Sequence, residues 1–184
     1  MPASWICAGA EASDQLRGAL LEAGCREETT GVTTGAELAA AELPPVLPPD
    51  GVVIEEVQDG PGLDGWIDVA AACGFFGDPG HLGRQRKLLR LVGRHWLARR
   101  GSRPVGMATA SFAGGVALLE YVAVVPGERR RGIGSTLALV RLHKAVKLGC
   151  TTAVFGTTPE SAALYAPFGF TTEPDTPGRW FYLP

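Results

Sequence analysis

The sequence predicts an α+β fold rich in β-strands. Three observations predict it: apolar runs of strand length meet at glycine turns in mid-chain, helical patterns separate the other runs, and one strand feeds a Gly-rich basic turn that opens a helix. Trp5-Ile6-Cys7 reads as a strand, Asp14 to Ala23 as a helix capped by Ser13, and Gly24 to Glu28 as the return. Leu43 to Gly51 carries Pro44, Pro45, Pro48 and Pro49, so it suits neither helix nor central strand and should run extended over the surface. Val52 to Val57 is the next strand, followed by helices at Leu63 to Cys73 and His81 to Val92 and a strand at His95 to Ala98. Gly101 to Pro104 turns the chain into Val105 to Phe112, and Ala113-Gly114-Gly115 turns it again into Val116 to Val124, which makes a meander. A helix from about Ile133 to Leu148, a strand at Thr152 to Phe155, a helix at Ser161 to Pro167 and closing strands at Phe170 to Glu173 and Trp180 to Leu183 complete the order.

Composition narrows the function classes. With 184 residues, 46% of them hydrophobic and a net charge of −2, the chain can bury a proper core and reads as an ordinary soluble protein. Apart from Arg129 to Arg131 there is no long run of one charge sign, so nucleic acid and membrane surfaces are not expected partners. The start Met1-Pro2-Ala3-Ser4 lacks a signal-peptide pattern and no apolar stretch approaches a membrane span, so a cytoplasmic location is expected. Cys7, Cys25, Cys73 and Cys150 lack Cys-x-x-Cys spacing and His81, His95 and His143 are scattered, so reduced thiols and no metal are expected.

The richest segment is Arg129-Arg130-Arg131-Gly132-Ile133-Gly134, directly after Tyr121 to Val125 and Pro126. A strand entering a basic glycine turn at a helix start gathers unpaired N–H groups at the positive end of the helix, which makes an anion cradle. The glycines let backbone approach the ligand, and the arginines suit a pyrophosphate. A P-loop would need Gly-Lys-Ser/Thr where Gly134-Ser135-Thr136 stands, and a dinucleotide fold would need glycine where Leu137 stands. The remaining pattern, Arg-x-x-Gly-x-Gly after a strand, resembles the coenzyme A pyrophosphate loop of the GNAT acyl-CoA N-acyltransferase superfamily.

A second motif agrees. Ser161 to Phe170, containing Leu164-Tyr165 and Gly169-Phe170, is similar to the helix of that family whose tyrosine points at the coenzyme A sulfur. Gly169 should end the helix in a left-handed conformation, and Pro167, a departure from the usual pattern, should end it early. The resemblance covers residues 52–184. The segment before the prolines follows the plan of the chain's end, with Leu20 at the place of Tyr165 when Gly24 and Gly169 are aligned. Residues 1–42 therefore read as a truncated second GNAT-like unit, 43–51 as a linker and 52–184 as the acetyltransferase domain. Any strand-helix-strand segment would also show this likeness. An unpaired strand edge in residues 1–42 must pair with the main sheet or with a second chain.

The resemblance implies a three-layer α/β/α fold of the α+β class, with a mixed and mostly antiparallel central sheet whose strands splay at the coenzyme A site, and an acetyl-CoA-dependent N-acyltransferase working by direct attack of an amine. It assigns coenzyme A binding to Val122, Val124, Val125, Arg129, Arg130, Arg131, Gly132, Ile133, Gly134, Ser135 and Tyr165. The Val122 or Val124 N–H would hold the thioester oxygen, and Tyr165 would protonate the departing thiolate. Glu120 is the candidate base. It interrupts an apolar run, and strand alternation puts it on one face with Val122 unless a bulge intervenes; shielded from water it would accept the amine proton readily. It could equally face solvent or pair with an arginine. Arg141, His143, Lys144 and Lys147 read as the polar side of the cradle helix, and Trp66 and Trp180 as packing residues. Phe75, Phe76 and Asp78, between the first two helices of the domain, are candidates for the acceptor wall. The acceptor is expected to be a small-molecule amine, and a homodimer is possible. Two alternatives stay open: a non-catalytic acyl-CoA-binding module, and the same enzyme with a longer or carrier-bound acyl donor.

Overall fold

The computed structural model describes residues 4–7, 17–38, 43–75, 89, 93–157 and 159–182. The strands are β1 (Ser4–Cys7), β2 (Arg26–Glu37), β3 (Val52–Val57), β4 (Arg94–Arg100), β5 (Arg103–Ala113), β6 (Val116–Val124), β7 (Thr152–Thr157) and β8 (Thr171–Tyr182). The helices are α1 (17–22), α2 (Gly60–Ala72), α3 (Ile133–Lys147) and α4 (Pro159–Tyr165). The chain divides into two compact units, residues 37–153 and residues 1–36 with 154–184. The proline-rich segment therefore lies inside the first of these units.

In the 37–153 unit, β3, β4, β5 and β6 form an antiparallel meander in that spatial order. Gly114 and Gly115 join β5 to β6 with φ of 56° and 78°, and Ala113 faces Val116. Positive φ at both central residues makes this the two-residue hairpin turn whose twist matches the strands. Helix α2 starts at Gly60-Pro61, where a missing proline N–H costs nothing, and buries Leu63, Trp66, Ile67, Val69 and Ala70 with Leu97 and Met107. Helix α3 packs on the other face, where Ile133 and Leu137 reach within 3.0 Å of the place a Gly106 side chain would occupy. Residues 43–50 have no regular structure, as their prolines require, and run along α3. His143 Nε2 lies 2.8 Å from the Pro44 carbonyl, and the Thr136 hydroxyl lies 3.5 Å from that of Leu47.

The other unit repeats a strand-helix-strand plan. Its strands lie in the order β1, β8, β2, β7, which reads the same from either end when β1 is exchanged with β7 and β2 with β8. β8 pairs antiparallel with both β1 and β2, and Arg26 meets Tyr182 while Gly35 meets Thr171. Gly24 and Gly169 open β2 and β8 with φ of 83° and 82°, and Leu20 and Tyr165, four residues before them, are both buried. The expected helix of residues 161–167 is α4, which stops at Tyr165 and passes into a 3-10 turn at Ala166–Phe168, so the proline ends it early. The two expected closing strands are one strand, β8, whose pairing with β2 breaks between Glu173 and Pro177. The helix expected at His81 to Val92 lies, apart from Leu89, outside the described residues.

Candidate active site

The cradle starts where β6 passes through the 3-10 turn Pro126–Glu128 into α3. Arg130 has φ of 59° and Gly132, the N-cap of α3, has φ of 82°, so the backbone turns twice through the left-handed region. Arg130 bears the strain of a non-glycine residue there. The first bond into α3 runs from the Thr136 N–H to the Gly132 carbonyl, and among the described residues no backbone acceptor meets the N–H groups of residues 130–135. These groups stand at the positive end of a 15-residue helix, in the form that holds a phosphate oxygen. Gly132 also lets Pro49 approach, its ring standing 3.4 Å from where a side chain would begin.

The three arginines have different roles. Arg129 Nε donates to the Val124 carbonyl at 3.0 Å. Arg131 lies 3.6 Å from Glu128, a carboxylate that also accepts from Arg100 Nε at 3.2 Å and from Arg103 Nη2. Glu128 is only 4% exposed, and a buried carboxylate needs that company. Sequence reasoning missed it, although an acid three residues before Arg131 was a readable signal.

Between Ala108/Val122 and Thr109/Glu120 the pairing of β5 and β6 shifts by one, which leaves Tyr121 as an extra residue in a β-bulge. With this bulge the stated exception applies, and Glu120 and Val122 lie on opposite faces. Glu120 accepts a 2.7 Å hydrogen bond from Ser111, which shares the β5 face of Thr109; Thr109 in turn meets His95, and His95 stacks edge-on against Trp66 of α2. Tyr121 joins the same face, its ring 6.0 Å from Trp66 and 5.7 Å from Phe75. Val122 faces α3 with Ala108. The Val125 N–H bonds the Val105 carbonyl of β5 at 3.0 Å, so by alternation the Val122 and Val124 N–H groups point away from β5.

The bulge thus brings Glu120, half-buried, next to Tyr121, whose ring meets Phe75. Tyr121 was not foreseen, because alternation hides a bulged residue. Phe76 and Asp78 lie outside the described residues. Trp66 is fully buried and donates its Nε1–H to the Ala108 carbonyl at 3.0 Å; the Trp180 side chain is not described. Arg141, expected on the polar side of α3, is instead fully buried, and its Nη1 donates to the carbonyls of Thr109 at 2.9 Å and Glu120 at 2.8 Å. Its place on the ridge between Leu137 and Ala145 was the signal. Lys144 reaches Glu56 at 2.9 Å, as does Arg94 at 2.6 Å. Burial pushes the Glu56 carboxyl up, but these two cations outweigh it and hold the group below its ordinary value.

In the other unit, the Tyr165 ring is 1% exposed and packs against Phe155, Phe170 and Phe168 at centroid distances of 4.3, 5.2 and 6.5 Å. Gly169 caps the turn in the left-handed region, as expected.

The sequence profile of the acetyltransferase (GNAT) family matches residues 66–170, more than half of the chain. Solved structures share the fold. A GCN5-related N-acetyltransferase from Kribbella flavida superposes with a TM-score of 0.62 at 20% identity, covering 98% of this chain and 68% of that one. A tandem GNAT protein from the clavulanic acid biosynthesis pathway gives 0.63 at 14% identity, over 99% and 63%. AAC(6')-Iy, in complex with the bisubstrate analogue CoA-S-monomethyl-acetylneamine, gives 0.56 at 19% identity, over 65% and 90%. No curated protein matches at the sequence level. With the family profile spanning the bulge, the cradle and the Tyr165 turn, this chain belongs to the acetyltransferase (GNAT) family.

Proposed function

We propose that the protein transfers an acyl group, acetyl above all, from acyl-CoA to the primary amine of a small molecule by direct attack in a ternary complex. The cradle carries this reading: two left-handed residues, a helix N-terminus and three arginines offer main-chain donors and positive charge to a pyrophosphate. Gly132, Ile133, Gly134 and Ser135 bind it, with Arg130 and Arg131 at the rim, while Arg129 orders the strand end at Val124.

The chemistry follows from the residues beyond the cradle. The outward N–H of Val122 or Val124 stabilises the thioester oxygen as it gains negative charge. The neutral amine forms the new C–N bond as the C–S bond breaks, Glu120 takes the amine proton, and the departing thiolate is protonated, the role that the family resemblance gives to Tyr165. Ser111 orients the Glu120 carboxylate, and Tyr121 and Phe75 form the apolar wall beside it, which suits an amine with a hydrophobic body. None of the four cysteines lies in the two motifs, which favours direct attack over an acyl-enzyme. Residues 1–42 are read as a truncated GNAT-like unit, on the matching glycine turns and the matching strand plan.

An amine panel with acetyl-CoA, followed by thiol release, tests the reading. Turnover should fall about a hundredfold or more in Glu120→Gln and in Tyr165→Phe, with coenzyme A affinity kept. Tight acetyl-CoA binding without transfer to any amine would replace it with a non-catalytic acyl-CoA-binding role. Faster transfer from a longer acyl-CoA at fixed acceptor would change the donor.

A further inference from the structure

We propose that Arg141 is a positioning residue for acyl transfer: from the buried side of α3 its guanidinium holds the β5–β6 bulge in register, and the bulge aims the Val122 and Val124 N–H groups and sets the face of Glu120. The proposal rests on the acyltransferase reading above.

At a bulge the strand ladder is interrupted, and the carbonyls beside it need other donors. Arg141 supplies them on both strands at once, through Nη1 to Thr109 and to Glu120, while its Nε is anchored at 3.1 Å on the Leu137 carbonyl of its own helix. Trp66 holds the neighbouring Ala108 carbonyl with its indole N–H. A one-residue slip of β6 would turn Glu120 to the other face and reverse the outward N–H groups. An apolar side chain would fill the space of Arg141 without the cost of burying a charge, so packing alone does not explain a guanidinium here. The same helix begins at the cradle. From Ile133 to Arg141 it rises about 12 Å, so α3 is a rigid spacer between the pyrophosphate end and the acyl end of the site.

The test compares Arg141→Met and Arg141→Lys with Leu139→Ala, a core truncation on the same helix that serves as a stability control. Amide NMR resonances of residues 119–124 and 132–135, affinities for coenzyme A and acetyl-CoA, and kcat are measured. In Arg141→Met the bulge amides should move and the cradle amides stay. Coenzyme A affinity should hold within about threefold while kcat drops at least about tenfold. Lysine, which can still reach one carbonyl, should recover part of that loss. Leu139→Ala should lower the melting temperature and leave kcat unchanged.

Unmoved bulge amides in Arg141→Met would overturn the proposal. So would an equal kcat loss in Leu139→Ala at matched stability. If the methionine variant does not fold, the lysine variant decides by the same two readouts. A wild-type chain that acylates no amine would sink the enzymatic reading instead, and the resonances would still decide whether Arg141 sets the bulge.

Discussion

The cradle at residues 126–135 and the bulge at residues 120–122 are neighbours on one chain, and both aim main-chain N–H groups outward, yet they are built in opposite ways. The cradle is local. Glycine at a left-handed N-cap, a proline-started turn and a helix that must leave its first donors unpaired are all written within ten residues. The bulge is made by distant partners, with Trp66 arriving from 42 residues before Ala108 and Arg141 from 21 residues after Glu120. The cradle turn is tied to the sheet through Glu128, which Arg100 of β4 and Arg103 of β5 hold, whereas the bulge is met by side chains of both helices that cover it.

Variants can separate the two regions. The largest effect on stability is expected from Glu128→Ala, which leaves Arg100, Arg103 and Arg131 without their shared carboxylate. A broken buried pair costs about 3–5 kcal/mol, but Arg103 and Arg131 are 65% and 59% exposed, so about 2 kcal/mol is expected in urea unfolding. Bulge amide resonances should not move, since the ion-pair partners of Glu128 are Arg100, Arg103 and Arg131; movement there would join the two regions into one device.

Trp66→Phe keeps an aromatic ring and removes the indole N–H from the Ala108 carbonyl. Ala108 keeps its ladder partner Trp96 of β4, so losing the indole bond should cost about 0.5–1.5 kcal/mol, together with a shift of the bulge amides and none of the cradle amides. A stability loss without movement of the bulge would reduce Trp66 to packing.

The smallest effect concerns Glu56, which ties β3 and β4 to Lys144 of α3. Its carboxyl is held below the ordinary 4.5, so its contribution is present above that pH and is lost as pH falls through the lower folded value. Glu56→Gln should therefore lower stability slightly at neutral pH, by less than about 1 kcal/mol for so exposed a group, and remove that part of the acid dependence. An unchanged acid limb would mean that the ion pairs contribute nothing in solution.

What could be read in advance follows the same division. The meander, both glycine turns, the cradle helix and the early end of α4 at Pro167 were legible because each is set by neighbours in sequence. Arg141 was misread, and the face of Glu120 was read on the condition that no bulge intervened. Strand periodicity assigns faces only while the ladder is regular, and an inserted residue at Tyr121 turns the strand over; Arg141 was read by its charge, although it stands on the buried ridge between Leu137 and Ala145. The closing strands merged because the pairing of β8 with β1 and β2 spans most of the chain, which no local pattern encodes.

On the proposed reading, the turn at Gly132 binds the pyrophosphate of coenzyme A. Calorimetric titration of acetyl-CoA into the wild-type chain and into Gly132→Val tests it most directly. Valine is disfavoured at φ of 82° by about 1–2 kcal/mol and would meet Pro49. Saturable binding to the wild type, at least about tenfold weaker in the folded variant, is the predicted result. Equal affinity in both chains, or no binding to the wild type at millimolar acetyl-CoA, would contradict it.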